Sequence, residues 1–402
     1  MELLAPAGNF EKLKTAFYFG ADAVYLAGKN FGLRAFAGNF DEDEILKAVE
    51  YAHKLNKKVY VTLNIIARDN DFAEMKNYVL FLEKANVDGV IVADLGVTAF
   101  VREIAPTLPV HVSTQANIIN SYSANLMAKM GVKRIVLARE LSLEEIINIR
   151  KNIPSEIELE TFVHGAMCIS YSGRCLLSNY LTGRDSNRGE CVQACRWEYT
   201  IKEKSRDSHS LEIQEDEKGT YILNSKDLNM LENMNELINA GVVSFKIEGR
   251  MKSPYYVATV VNAYRRVIDN IKQNKDYEVS QDLIQELEKT SHRNYTTGFY
   301  FNAKDKENLQ TSMPVQTHEF MALVIEGTDG EYALVEQRNR FKVGDKLEIL
   351  SPSENFNKEI EITQMKNLNG EIVTDAKNVQ ERLYIKTNIK LYANDILRKK
   401  IC

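Results

Sequence analysis

Four of the five cysteines in this 402-residue chain fall within one short stretch. Cys168, Cys175, Cys191 and Cys195 are spaced C-x6-C-x15-C-x3-C, while Cys402 is the last residue and stands apart. Such a set supports four kinds of chemistry. Disulfides require an oxidising compartment, and the sequence opens with no basic-then-apolar leader. Structural zinc favours tight C-x2–4-C pairs, and the first gap here is too wide. An iron–sulfur cluster tolerates wide, uneven gaps, and four thiolates match a [4Fe–4S] cube. Buried thiols acting as small hydrophobes are the fourth reading. The neighbours favour the cluster. Gly165, Ala166, Ser170, Ser172, Gly173 and Ser178 are small enough for backbone N–H groups to approach sulfide.

The elements around this stretch must hold it. β-type runs occur at 2–6, 23–28, 58–64, 89–94, 109–115, 134–140, 157–163 and 244–250. Helical patterns separate them at 9–20, 42–56, 72–86, 96–105, 122–130, 143–151 and 228–240. Regular alternation implies a parallel sheet covered by helices, and eight units point to an α/β fold of the (β/α)8 TIM-like barrel type. A doubly wound open sheet is the alternative, but no G-x-G-x-x-G follows the first run. The cysteine-rich segment, about 165–224, is then an insertion after strand 7, and loops after strands form the catalytic face. Within it, 197–203 and 220–224 read as a hairpin joined by the polar stretch 204–219. Helices are expected at 254–274 and 280–289, with 291–300 as a closing loop.

Polar residues at strand ends would line the barrel mouth. They are Asn64, Asp94, Ser113, Thr114, Gln115, Arg139, Glu140, His164, Lys246, Glu248 and Arg250, with Arg34 in a glycine-containing loop after the second strand. Each taken singly also has a structural reading, since buried polar groups need partners. Arg139 and Arg250 present planar forks suited to carboxylate or phosphate. The competing arrangement pairs them with Glu140 and Glu248. His164, four residues before Cys168, raises a Cys–His nucleophile pair. No other protease pattern supports it. His318-Glu319 is followed by Phe, Met and Ala rather than completing H-E-x-x-H, and G-x-S-x-G is absent. No P-loop occurs, because Gly28-Lys29-Asn30 lacks the spacing and the Ser/Thr.

From about 317 only strands are expected, at 320–326, 331–337, 345–350, 358–364, 371–374 and 383–392. The chain thus divides into a catalytic barrel over 1–316 and a small β-barrel over 317–402. No apolar run reaches the length of a membrane span. A net charge of −5 excludes a strongly basic nucleic-acid-coating protein but leaves room for a local basic patch. Free thiols without a leader point to the cytoplasm.

The stretch ETFVHGAMCISYSGRCLLS, residues 160–178, resembles the signature of the collagenase-like peptidase family, with Glu160, Phe162, Gly165, Cys168, Gly173, Cys175 and Ser178 in register. ELLAPAG at the start, KIEGR at 246–250 and YTTGF at 295–299 resemble further blocks of it. That family also contains oxygen-independent hydroxylases of tRNA, 23S ribosomal RNA and ubiquinone precursors. The length and the C-terminal segment most resemble its tRNA-modifying members. The resemblance implies prephenate-dependent conversion of tRNA wobble uridine to 5-hydroxyuridine with a 4Fe-4S cluster on the four cysteines. It places Arg139, Glu160, His164, Lys246, Glu248 and Arg250 among catalytic candidates. Arg34, Gln115, Arg139 and Arg250 become candidates for holding the small dicarboxylate. tRNA is the implied partner, with the C-terminal segment helping to dock it, and the protein acts as a homodimer or with a paralogue. The other readings are a collagenase-like peptidase and a non-catalytic, cluster-bearing partner of a paralogous subunit.

Overall fold

The computed structural model describes residues 1–33, 38–168, 170–197, 215–216, 219–220, 225–301, 315–328 and 331–401. Eight parallel strands form the barrel: β1 (Glu2–Pro6), β2 (Ala23–Ala27), β3 (Lys58–Leu63), β4 (Gly89–Val92), β5 (Val110–Val112), β6 (Arg134–Val136), β7 (Glu158–Ala166) and β8 (Ser244–Ile247). Each pairs with the next, and β8 pairs with both β7 and β1, which closes the cylinder. All eight lie where the apolar runs predict them.

Strand alternation sorts the side chains onto two sides. Val59, Val61, Val90, Val92, Val110, Val112 and Leu159 face outward and form the main core with the surrounding helices. The inward set is different. Leu4, Ala23, Tyr25, Tyr60 and Ile91 make a small inner cluster. Below it, Glu2, His111, Arg134, Glu160, Ser244 and Lys246 bring polar and charged groups into the interior. The helices start on side-chain caps. Asn9 accepts from the Lys12 N–H at 2.9 Å, and capping boxes open Glu42–Lys54 and Leu143–Lys151.

The expected helix at 228–240 is shorter than the pattern implies. Only Met234–Asn239 is α-helical, and Asp227–Asn229 is a strand antiparallel to the end of β7. β7 runs three residues past its predicted end, to Ala166. Its backbone groups there need partners, and the returning chain supplies them. Tyr295–Thr296 pairs on the far side of that strand. The expected hairpin of 197–203 and 220–224 lies almost wholly outside the described residues, where only the short pair Glu215–Asp216 and Gly219–Thr220 is seen.

The C-terminal segment is a curled antiparallel sheet. Its order is Glu359–Glu361, Lys346–Leu350, Ile396–Lys400, His318–Glu326, Tyr332–Gln337, Arg382–Lys386, Met365–Asn367 and Ile372–Val373. It wraps a core that includes Val335, Leu347, Ile349, Ile385 and Leu397. Its two edge strands do not pair with each other among the described residues. The strand Ile396–Lys400 is central, and its ILRKK sequence hid it. Arg398 is fully buried, with its guanidinium bidentate on Glu286 at 2.6 and 2.8 Å and its Nε on Glu348 at 2.6 Å. Glu286 belongs to the barrel half, so this fork fastens the sheet to it. Tyr18 donates to Asp395 at 2.8 Å, and Arg266 donates to the carbonyls of Ser351 and Ser353. Among the described residues no helix is long and apolar enough to cross a membrane.

Removing one partner of a buried ion pair strands the others. Arg398→Leu is expected to lower unfolding free energy by about 3–5 kcal/mol in urea titrations. An unchanged midpoint would show that the fork does not hold the two halves together.

Candidate functional site at the barrel mouth

Two adjoining cavities open at the C-terminal ends of the strands. The outer one, about 210 Å³, is lined by all four clustered cysteines, with Met251 and Lys252 also in its wall. The inner one, about 90 Å³, lies within the barrel and is lined by Tyr25, Thr62, Asn64, Phe162, Lys246 and Arg250 among others. Leu33, Gln115, Arg139 and Glu248 line both and form the shared wall.

The cysteine insertion lies across the mouth and is tied down on opposite sides. Arg188 donates to the Ile66 carbonyl at 2.9 Å and forks onto Asp71 at 2.9 and 3.0 Å, which grips the loop after β3. Asn117, in the loop after β5, donates to the Ser172 carbonyl at 2.9 Å and accepts from Arg174. At the root, Arg293 and Asp227 form a buried ion pair beside the strand that flanks β7. Two glycines permit this packing. A Cβ on Gly165 (φ +107°) would sit 2.7 Å from the Glu248 carbonyl oxygen. One on Gly173 (φ +73°) would press on Gln115 at 3.0 Å.

Cys175, Cys191 and Cys195 are half-buried, Cys168 is exposed, and none of the four is in a disulfide. The Cys191 sulfur accepts the Gln193 N–H at 3.4 Å, and the Cys175 carbonyl accepts from Ser186 at 2.6 Å. Among the described residues no three His, Cys, Asp or Glu side chains already converge as the ligands of one metal ion. The thiols instead surround a space. That arrangement, with small neighbours and an N–H aimed at sulfur, fits the donor set of a polynuclear cluster. Cys402 lies outside the described residues.

Arg139 lies over the Phe162 ring, 4.0 Å from its centroid, and donates to the Ala166 carbonyl at 2.8 Å. Its Nε is a buried donor with no partner. Glu140 does not pair with it; one Glu140 oxygen is buried without a hydrogen bond, and burial raises its carboxyl above the usual range. Arg250 is buried, donating to Thr62 at 3.3 Å and to the Leu33 carbonyl. Asn64 accepts from the Leu33 N–H, and Ser113 caps the turn that carries Gln115. Thr114 donates to the Leu137 carbonyl, and Asp94 caps the helix after β4, so these two have structural partners. Arg34 lies outside the described residues.

Lys246 sits at the bottom of the inner cavity, 2.9 Å from Glu160. Glu160 is fully buried and also accepts from Arg134 and Ser244, each at 3.0 Å. It therefore stands one layer below the cavity and acts on it through Lys246. Burial alone would raise the Glu160 carboxyl, but Lys246 and then Arg134 outweigh it and hold it at about 2. Burial pulls Lys246 below its usual value, with Glu160 opposing.

His164 points elsewhere. The β7–β8 register pairs Phe162 with Lys246 and His164 with Ile247, which leaves Val163 as an extra residue. Such a bulge flips the alternation. Phe162 faces the cavity, while His164 faces out, its ring among Tyr256, Tyr264 and Tyr295 at 5.4–6.0 Å. Burial there lowers its imidazole to about 3. Strand-end reasoning passed over Tyr25, Phe162 as a stacking surface, and Lys252. Lys252 follows Arg250 by two residues, and its position in the loop after β8 was the available signal.

Fold and mouth together define a (β/α)8 barrel protein with a thiol-lined cavity above a cationic one and an antiparallel sheet appended. The chain belongs to Peptidase family U32, whose model matches residues 8–310, and that family's C-terminal domain model matches residues 316–398. It is 39% identical to tRNA hydroxylation protein P1 of Bacillus subtilis (strain 168), covering 99% of this chain and 94% of that protein. It is 37% identical to tRNA hydroxylation protein P of Escherichia coli (strain K12), covering 92% and 90%. A 23S rRNA 5-hydroxycytidine synthase of Escherichia coli (strain K12) is 37% identical over 76% of this chain and 46% of its own length.

The buried carboxylate sets a pH test. A carboxyl held at about 2 contributes stability that is full above its ordinary value of 4.5 and is lost as pH falls toward 2. Glu160→Gln is expected to be less stable than the parent by about 3–5 kcal/mol from pH 5 to 8, with the gap narrowing below pH 4.5. A gap in urea midpoint that stayed constant down to pH 3 would remove the charge from the account.

Proposed function

We propose that this protein is a tRNA hydroxylase that converts the wobble uridine to 5-hydroxyuridine without molecular oxygen. In this reading Cys168, Cys175, Cys191 and Cys195 hold one [4Fe–4S] cluster, and prephenate, a dicarboxylate, is the co-substrate in the inner cavity. The observation that carries it is the shared wall: the thiol-lined and cationic cavities meet at Gln115, Arg139 and Glu248. The names of the relatives, which cover nearly all of this chain at 37–39% identity, supply the substrate class.

When bound, the cluster supplies redox or Lewis-acid chemistry beside that wall. The chain's own residues bind and orient. The unpartnered Arg139 Nε is the kind of buried donor that a carboxylate satisfies. Arg250 and Lys246 add positive charge deeper in. Phe162 holds Arg139 by stacking and gives that side of the cavity an apolar wall. A wobble base is already unpaired, so presenting its C5 edge at the mouth costs less than flipping a base from a duplex. The peptidase reading needs a nucleophile with a base beside it. His164, the candidate base, is turned away from the thiols into an aromatic cage. A reducing cytoplasm suits four cysteines that form no disulfide.

Mass spectrometry of tRNA nucleosides tests this reading. A strain lacking the gene is expected to lose 5-hydroxyuridine and to regain it on complementation; unchanged 5-hydroxyuridine would refute the reading. Cys175→Ala, purified anaerobically, is expected to lose most of its iron, and full iron content would refute the four-thiol set. Arg139→Lys keeps the charge but not the fork. It should retain iron and folding while weakening prephenate binding roughly tenfold to a hundredfold, and an unchanged affinity by calorimetry would remove Arg139 from the ligand site.

A further inference from the structure

We infer that the outer face of the cysteine insertion, with the adjoining loop after β5, is a stacking platform for unpaired nucleotides, and that this rim grips the RNA loop. The inference rests on the tRNA reading and assigns its contact surface. Tyr122 and Tyr180 are 89% and 87% exposed, so each ring has almost no protein neighbour. Tyr171 and Trp197, also on the insertion, are 48% and 44% exposed. Large aromatics left this bare raise the free energy of the protein in water unless something covers them.

Their placement is specific. Tyr180 lies on the short helix Leu177–Thr182, whose Leu177 and Ser178 line the cysteine cavity on the other side. Trp197 follows Cys195 by two residues. Tyr122 opens the helix after β5, and Tyr171 is adjacent to Ser172, where Asn117 ties the insertion to that same loop. All four residues therefore belong to the insertion or to the start of the helix after β5, the segments that surround the cavity. Charge agrees: residues 166–197 hold four arginines and two acidic residues, and although Arg188 is neutralised by Asp71, Arg174 and Arg184 are exposed. Arginine interleaved with exposed rings suits single-stranded nucleic acid, because every base has a face to stack and every linkage a phosphate. The C-terminal sheet lacks this character. Residues 317–402 hold 13 Lys and Arg against 14 Asp and Glu.

The test is fluorescence anisotropy of the full-length protein with a labelled anticodon stem–loop, and with the same stem extended as an uninterrupted duplex. The parent is expected to prefer the hairpin. Tyr122→Ala and Tyr180→Ala should each weaken hairpin binding about tenfold, with iron content and thermal stability unchanged and little effect on the duplex. Tyr122→Phe and Tyr180→Phe, which keep the ring, should restore it. Parental affinity in the double alanine variant would overturn the inference. So would loss of a dimer in light scattering with RNA affinity intact, which would make the patch a protein interface. If 5-hydroxyuridine still depends on the gene while the variants bind normally, the platform alone fails; if the parent does not bind the hairpin, the tRNA reading fails with it.

Discussion

Glu160 is a fully buried carboxylate held by two cations, and much of the barrel is arranged around that fact. Arg134 reaches it from the start of β6 and also forks onto Glu158 at 2.7 and 2.9 Å. Lys246 reaches it from β8. Glu2, at the start of β1, accepts from Arg134, Ser244 and Tyr60. The first strand and the last three strands of the barrel thus meet in one ionic layer. Burying such a group is favourable only when every partner is in place. The layer therefore penalises any register that misaligns β1, β6, β7 or β8. This specifies the closure of the cylinder more sharply than apolar inward residues would, because a slipped hydrophobic contact costs less than a stranded charge.

The same layer determines the charge of the mouth. Lys246 takes Glu160 below and faces the inner cavity above, with Phe162 and Tyr25 beside its ammonium group. Burial pulls the pKa of that ammonium down, and Glu160 opposes the shift. Without it, desolvation would favour a neutral amine and the cavity would lose one of its cations. Glu160 never touches the cavity, yet it belongs to the site as the group that holds Lys246 in position and charge.

The eight strands were legible because both the outward faces and much of the inward faces are apolar, so strand runs stand out against amphipathic helices. The cysteine cavity was legible because loops after strands gather at one end of such a barrel. His164 was not, because a single extra residue at Val163 reverses which side the chain presents, and nothing in TFVHGA marks a bulge. Glu160 entered through family resemblance, but its depth depends on β7 register. The central C-terminal strand was hidden for a related reason. Three basic residues in ILRKK read as surface, whereas Arg398 is buried by carboxylates contributed from 50 and 112 positions away. Pattern reading finds elements that bury carbon and misses those that bury matched charge.

The insertion owes its usefulness to how its ends are held. A long loop closed only at its root would sample many arrangements, and thiols on it would meet a cofactor at an entropic cost. Here the root is clamped by Asp227 and Arg293, and the far side is pinned by Arg188 on Asp71 and by Asn117 between Ser172 and Arg174. The barrel's own loops therefore set the spacing of the cysteines. One consequence is directional. The four cysteines line a cavity whose wall includes Arg139 and Gln115, while Tyr171, Tyr180 and Trp197 of the same segment are exposed to solvent. One segment thus carries its cysteines on the cavity side and its exposed rings, Tyr171, Tyr180 and Trp197, on the solvent side.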